Sequence, residues 1–318
     1  MHTHSGPPFS HIHPLSAHDN PDPTHAQAYA GDSIVAILAG QFAGVAANKR
    51  GPTGPFELST AILMIGGLLA AFLWKENVAE DSNPSSTTTE KTKDDDADND
   101  KKSSPSIREA FRVVRQDPKI MLVGSVQSLF EAAMYIFVLQ WPPAISRAIA
   151  AAFSPETATP FGTVFSCFMA CCLLGSTLFG QLVKSGVATE TFTSLMLSVA
   201  TVAMGGAAVA SSSVATMPLW ALVAGFFAFE GCVGMYFPSI GTLRSKYVPD
   251  GQRSVIMNLF GIPLNVLVVS VFLSIKRLGV SGALGVSAGA LGVATMCMFA
   301  LRSLVGKETA TTNAAAVA

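Results

Sequence analysis

Two carboxyl side chains stand where a lipid bilayer should exclude them. Glu131 and Glu230 each lie in the middle of a long apolar segment. A carboxyl group at the centre of a bilayer costs about 3 kcal/mol on insertion scales, so such residues normally face a cavity or a partner. Two interpretations follow: a proton carrier on a transport pathway, or a carboxyl group that only hydrogen-bonds a neighbouring helix.

Other polar residues in the apolar segments fall into two stripes at helical spacing. The first stripe has a residue at every fourth position: Gln127, Glu131 and Tyr135. The second lies in a later segment, beside Pro263, which we expect to kink its helix: Asn258, Gly261 and Asn265. These side chains line a substrate pathway in one interpretation and join helices by hydrogen bonds in the other.

The two segments that carry the glutamates resemble each other. One reads LFEAAMYIF at 129–137 and the other AFEGCVGMYF at 228–237, which ends in Tyr236 and Phe237, and proline follows each. They are three spans apart and therefore cross the membrane in opposite directions. This is the pattern of an inverted repeat, in which the substrate site lies at the repeat interface near the middle of the membrane.

The sequence carries no catalytic motif: it has no GxSxG, P-loop or HExxH, and none of its histidines lies in an apolar segment. We therefore expect neither an enzyme nor a bound cofactor. The net charge of −1 argues against a nucleic-acid partner, which would require a basic face. All five cysteines lie in apolar segments and are interpreted as small buried hydrophobic residues, with no metal role.

The composition is that of a membrane protein. The 318-residue chain is 50% hydrophobic and 13% charged, whereas soluble domains carry about 25% charged residues. A hydrocarbon core of about 30 Å requires about 20 apolar residues in a helix. We place eight apolar segments near residues 32–48, 56–74, 119–141, 161–183, 192–211, 216–238, 254–275 and 280–302. The sequence thus predicts an all-α, polytopic helical bundle with about eight transmembrane helices.

Small residues recur along these segments, including the spacings Gly40-x-x-x-Gly44 and Gly285-x-x-x-Gly289. Small side chains let helix backbones approach closely within lipid, where apolar burial alone gives little drive to associate. Because this spacing is common by chance, it predicts close helix packing in general and no particular contact.

Polar sequence surrounds the apolar segments. Residues 1–30, which hold all six histidines, are predicted to be a disordered tail, with weak divalent-metal binding as the alternative. Residues 76–118 are predicted to be a disordered cytoplasmic linker that ends in a short basic amphipathic helix, 106–117, with a capping box at Ser106 and Glu109. Its apolar face is Ile107, Ala110, Phe111 and Val114. Its basic face is Arg108, Arg112, Arg115 and Lys119, and such a helix fits a membrane surface.

The distribution of lysine and arginine predicts the orientation. With the linker inside, fifteen basic residues lie on the cytoplasmic side and five lie outside. Both termini are therefore predicted to be cytoplasmic, in agreement with an even number of spans. The loop between the sixth and seventh segments contributes three of the inner basic residues, which are predicted to gate the cavity from the cytoplasm: Arg244, Lys246 and Arg253.

Five stretches carry a resemblance: SLFEAAMYIF at 128–137, FSCFMA at 165–170, GMYFPS at 234–239, LRSKY at 243–247 and MNLFGIPLN at 257–265. In combination they resemble the molybdate-anion transporter family of the major facilitator superfamily, over about residues 33 to 302. The resemblance implies a twelve-helix fold in two six-helix lobes. The segments here would be the fifth to twelfth helices, with the first four missing.

The resemblance also implies a domain organisation. Residues 31–75 would be the last two helices of the N-terminal lobe, 119–302 a complete six-helix C-terminal lobe, and 303–318 a cytoplasmic tail. The segments with Glu131 and Glu230 would be the seventh and tenth helices, which line the central cavity in this superfamily. Half of the cavity wall would then be absent from the chain.

The activity implied is uptake of molybdate at the plasma membrane by alternating access, and the mid-span glutamates add proton coupling to this expectation. Because no lysine or arginine lies mid-span, the anion would be bound by neutral donors: Gln127, Tyr135, Tyr236, Asn258 and Asn265. Two alternatives stay open. One is a transporter of another small anion or an organic solute, and the other is a truncated, non-transporting membrane protein that pairs with a full-length relative.

Overall fold

A computed structural model describes residues 23–74, 107–212 and 219–317, and all regular structure within these ranges is helical. The helices are α1 (Pro23–Arg50), α2 (Gly54–Leu73), α3 (Ile107–Gln116), α4 (Pro118–Ala152), α5 (Phe161–Lys184), α6 (Thr189–Ser212), α7 (Leu219–Tyr247), α8 (Arg253–Leu273) and α9 (Ile275–Val317). The chain turns at Gly51, whose φ of 74° suits glycine, and α9 is broken near its start by Gly279.

Seven stretches of the described residues are long and apolar enough to cross a membrane. The first, Gly31–Leu73, contains two of the eight predicted segments, which the turn at Gly51 separates into α1 and α2. The other six correspond to α4 through α9. The prediction of an all-α polytopic membrane protein is confirmed. Residues 1–22 of the predicted tail at 1–30, most of the linker and the cap residue Ser106 lie outside the described residues. Residues 23–30, which were predicted to be disordered, form the start of α1.

Two helices continue through prolines near which the sequence predicted them to end. The predicted segments end at residues 141 and 238, close to prolines, but α4 continues through Pro142 and Pro143 to Ala152, and α7 continues through Pro238 to Tyr247. Proline removes one backbone hydrogen bond, a loss that membrane helices tolerate when side chains and neighbouring helices supply other partners.

The hydrophobic core lies among α4, α5, α6, α7 and α9. Its centre is aromatic: the Phe130 ring stacks on Tyr236 with centroids 3.9 Å apart, and Phe137 lies 5.1 Å from Phe226. Residues early in α4 thus meet residues late in α7, and later residues in α4 meet earlier ones in α7. The two similar segments therefore run antiparallel, as an inverted repeat requires.

Glycines set the closest helix contacts. A side chain at Gly175 of α5 would overlap the Gly231 carbonyl of α7, and one at Gly234 would overlap the Cys172 carbonyl. The Gly40-x-x-x-Gly44 spacing of α1 packs on Gly162 of α5 in the same way. Gly285 and Gly289, by contrast, have open space beside them, so of these two spacings only the first makes a close contact.

Candidate functional site

An open cavity of about 640 Å³, lined by both polar and apolar side chains, lies between α4 and α8. Two stripes of side chains predicted from helical spacing face each other across it: Gln127, Glu131 and Tyr135 from α4, and Asn258, Gly261 and Asn265 from α8. The remaining lining is apolar and comes from α8: Met257, Ile262, Leu264 and Val266. Five of the seven residues predicted to line a substrate pathway thus share one cavity.

One tight contact holds α8 against α4 beside this cavity. Gly124 lies against the Phe260 ring with no room for a side chain. One turn later, the Ser128 hydroxyl donates to the Phe260 carbonyl at 2.6 Å. Because the small residues bring the helices together at this point, the longer side chains of the next turns, Glu131 and Tyr135, meet a wider space.

A hydrogen bond joins Glu131 to Tyr236, the sixth predicted pathway residue. The Tyr236 hydroxyl donates a hydrogen bond to Glu131 Oε1 at 3.1 Å. Tyr236 itself is fully buried and stacked on Phe130, so it does not line the cavity. Its position fixes the carboxyl group of Glu131 at the cavity wall, because a buried ring in a packed core has little freedom to move.

Glu230, the seventh predicted residue, lies elsewhere. It is 6% exposed on α7 and is absent from the lining of the α4–α8 cavity. Its neighbours include the Cys172 thiol of α5, where α5 and α7 pack most closely. The structure therefore separates the two glutamates, and it does not bring them together as an acid–base pair.

The amide of Gln127 leaves hydrogen-bonding capacity unused at the cavity. Its Oε1 atom is buried and has no partner within the described residues. Asn265 differs, since its Nδ2 donates to the Gly261 carbonyl of its own helix at 2.7 Å. Buried polar groups are nearly always paired, so Gln127 Oε1 is an exception among the polar atoms beside this cavity.

The three predicted gate residues make separate contacts. Lys246 forms an ion pair with Glu190 at 2.6 Å and thereby joins the end of α7 to the start of α6. Arg244 donates to the Ile240 carbonyl of its own helix, and Arg253 donates to the Val248 carbonyl, each at 3.4 Å. The structure does not gather these three side chains at one point.

Sequence reasoning missed the role of Glu190. It is buried, and its Oε1 accepts hydrogen bonds from Lys246 and from the Tyr247 hydroxyl, both at 2.6 Å. One signal was present: an acid in the first turn of an apolar helix, where a negative charge also suits the helix dipole. The partners are 56 and 57 residues away and cannot be identified from spacing.

The cavity has one charged lining residue, Glu131, and its other polar groups are neutral amides and a phenol. It can therefore form hydrogen bonds to a polar solute. Among the described residues, no cluster of three or more histidine, cysteine or acidic side chains could hold a metal. The predicted metal-binding alternative for the histidine-rich tail lies outside the described residues.

Comparison with known proteins gives the family. A family described as sugar transporters with 12 TM matches residues 23–236. The chain is 28% identical to the molybdate-anion transporters of Xenopus tropicalis and Xenopus laevis over 271 residues, which are 81% of this chain and 52% of each relative. It is 31% identical to the molybdate-anion transporter of Danio rerio over 207 residues, 61% of this chain and 38% of that relative.

The chain thus spans about half the length of the relatives it matches. The resemblance found in the sequence is confirmed by these matches, which cover both the α1–α2 region and most of the bundle. The chain is an integral, multi-pass membrane protein, and it belongs to this twelve-helix transporter family of the major facilitator superfamily, together with the molybdate-anion transporters.

Proposed function

We propose that this chain takes part in the transport of molybdate across a membrane by alternating access, and that the α4–α8 cavity is part of the substrate pathway. The observation that carries the proposal is the α4–α8 cavity of about 640 Å³, where five polar side chains of the membrane spans meet. The relatives are molybdate-anion transporters, and this supplies the proposed substrate. Membership of a transporter family also supports a function other than catalysis.

Molybdate is a dianion, and the cavity offers it a carboxyl group and no basic side chain. An anion and an ionised Glu131 would repel each other across this space. Proton coupling removes the conflict, because a protonated Glu131 is neutral and can itself donate a hydrogen bond. We therefore propose that Glu131 carries the coupled proton and that the Tyr236 hydroxyl keeps its carboxyl group in place.

Glu230 was predicted to carry a proton as well, but its position outside the cavity does not support that role. It lies outside the cavity, at the closely packed contact of α5 and α7.

The proposed hydrogen-bond donors to the anion are Asn258, Tyr135 and Gln127, since they share the cavity with Glu131. We also propose that the protein lies in the plasma membrane with both termini in the cytoplasm. A cytoplasmic gate is proposed to include Arg244, Lys246 and Arg253.

The test is molybdenum accumulation, measured by elemental mass spectrometry in cells deficient in molybdate uptake. Cells expressing this chain would be compared with cells carrying the empty vector, with surface expression measured in parallel. Accumulation above the vector at equal expression supports the proposal. Surface expression without accumulation would contradict it for this chain, and co-purification with a tagged full-length relative would then favour the non-transporting alternative.

A second candidate is the transport of a neutral organic solute. Two observations favour it: the family is described as sugar transporters, and the cavity is lined by amides, a phenol and a carboxyl group that suit hydroxyl groups. Competition experiments on molybdate accumulation distinguish the two candidate substrates. Tungstate and sulfate should reduce molybdate accumulation if the site accepts tetrahedral anions, whereas reduction by neutral sugars alone would favour the organic solute.

A further inference from the structure

The short helix α3 is fixed to the end of the bundle. It ends at Gln116, and Asp117 then caps α4 by accepting a hydrogen bond from the Lys119 backbone N–H at 2.8 Å. One side of α3 is buried: Ala110 and Val114 pack with Val248 and Ile256 from the start of the α8 region. Because α4 is a membrane span, this docking holds α3 at the level of the membrane boundary.

The opposite side of α3 is exposed and has a defined chemistry. Arg108, Phe111, Arg112 and Arg115 occupy the spacing i, i+3, i+4 and i+7, which places them on one helical face. All four are exposed, and Phe111 is 55% exposed even though sequence periodicity assigned it to the apolar face. We refer to these four residues as the Arg/Phe face.

The arginines of this face differ from two lysines on the same side of the bundle, which form ion pairs. Lys119 is paired with Glu308, and Lys246 is paired with Glu190. Within the described residues, no carboxylate forms an ion pair with any of the three arginines of the Arg/Phe face. The face therefore presents three positive charges and one aromatic ring at the membrane boundary.

We propose that the Arg/Phe face binds the phosphate headgroup of an anionic phospholipid, with the Phe111 ring against the upper part of its acyl chains. A guanidinium group matches the geometry of phosphate oxygens and gives up hydration more readily than an ammonium group. Phenylalanine is one of the residues with which interfacial helices contact the boundary between headgroups and acyl chains. A soluble anion would use the arginines but gain nothing from Phe111, and this favours a lipid. The inference goes beyond the proposed transport function and does not depend on it.

The test uses the full chain in detergent with added phosphatidylglycerol or phosphatidylcholine, and counts bound lipids by native mass spectrometry. The wild-type chain should retain phosphatidylglycerol in preference to phosphatidylcholine. The triple variant R108Q/R112Q/R115Q should bind phosphatidylglycerol about 100-fold more weakly, given that each basic residue near an anionic surface contributes about fivefold to affinity. The matched control is R147Q/K276Q/R277Q, which removes three exposed basic residues at the opposite end of the bundle.

Two results would overturn the proposal: equal retention of the two lipids by the wild-type chain, or equal loss of phosphatidylglycerol in the triple variant and the control. Size-exclusion and circular-dichroism profiles establish that all variants are folded. Phe111→Ala separates a lipid from a soluble anion. It should weaken phosphatidylglycerol retention by a few-fold, and if retention is unchanged while inorganic phosphate displaces the lipid, the face is a phosphate site and the lipid assignment is wrong.

Discussion

Glu131 and Glu230 occupy corresponding places in two similar segments, yet their surroundings differ. Glu131 lies on the wall of the α4–α8 cavity and accepts a hydrogen bond from Tyr236. Glu230 lies on α7 beside the closest approach of α5 and is 6% exposed. The same residue type in a similar local sequence thus faces a cavity in one half of the repeat and a packed contact in the other.

The neighbouring side chains account for the difference. In α7, Glu230 is followed by Gly231 and Gly234, and with Gly175 they allow the backbone of α5 to approach. In α4, Glu131 is followed one turn later by Tyr135, and the small residues that bring α8 close, Gly124 and Ser128, come before it. Where small residues surround the carboxyl group the helices close, and where long polar residues surround it a cavity remains.

The largest effect on stability should come from a substitution that forces α5 and α7 apart. Gly234→Val places a branched side chain on the Cys172 backbone, which cannot move aside as a side chain can. We expect a loss of about 3 kcal/mol or more in the free energy of unfolding, seen as loss of monodisperse protein on size exclusion and a lower melting temperature.

The matched control lies on the same helix. Gly241 has no atom near the position of an added side chain, so Gly241→Ala should leave stability unchanged or raise it by about 0.5 kcal/mol through helix propensity. If Gly234→Val had the same melting temperature as the wild type, the α5–α7 contact would be looser than described. The contrast with the cavity side would then fail.

The second effect concerns the two glutamates directly. Glu131→Gln should lower molybdate uptake about tenfold or more and remove its dependence on external pH, since an intramembrane carboxyl on a transport pathway is a typical proton relay. Glu230→Gln should keep the pH dependence, because Glu230 lies outside the cavity. The measurement is uptake against pH at matched surface expression, in a background where wild-type uptake is established. Loss of pH dependence in the Glu230 variant alone would reverse the assignment.

Much of this arrangement could be predicted from the sequence. Helical spacing identified both stripes that line the cavity, because residues four apart on a helix share a face whatever packs against them. The hydrogen bond between Tyr236 and Glu131 and the ion pair between Lys246 and Glu190 could not be predicted. Both join different helices, and periodicity within one helix carries no information on which residue of another helix will lie opposite.

A smaller effect should follow from removing the support of Glu131. Tyr236→Phe deletes the hydroxyl that donates to Glu131 and keeps the ring stacked on Phe130. Hydrogen bonds between membrane helices average about 0.6 kcal/mol, so we expect a change of that size in the free energy of unfolding. A double-mutant cycle with Glu131→Ala, which leaves no acceptor at this position, isolates the interaction, and a coupling energy of zero would show that the bond does not hold the carboxyl group.

The last prediction concerns two serines, one on α4 beside α8 and one on α5, and its expected effect is as small as that of Tyr236→Phe. Ser128 of α4 donates to the Phe260 carbonyl of α8 at 2.6 Å, whereas Ser176 of α5 donates only to Leu173 of its own helix at 2.9 Å. Ser128→Ala should cost about 0.6 kcal/mol and widen the α4–α8 contact, while Ser176→Ala should be nearly neutral because it removes no bond between helices. Denaturant unfolding of both variants measures the difference. Since Ser128 lies one turn before Glu131, its loss should also weaken uptake more than the loss of Ser176, and equal effects of the two variants would mean that the position of α8 is set by contacts other than this bond.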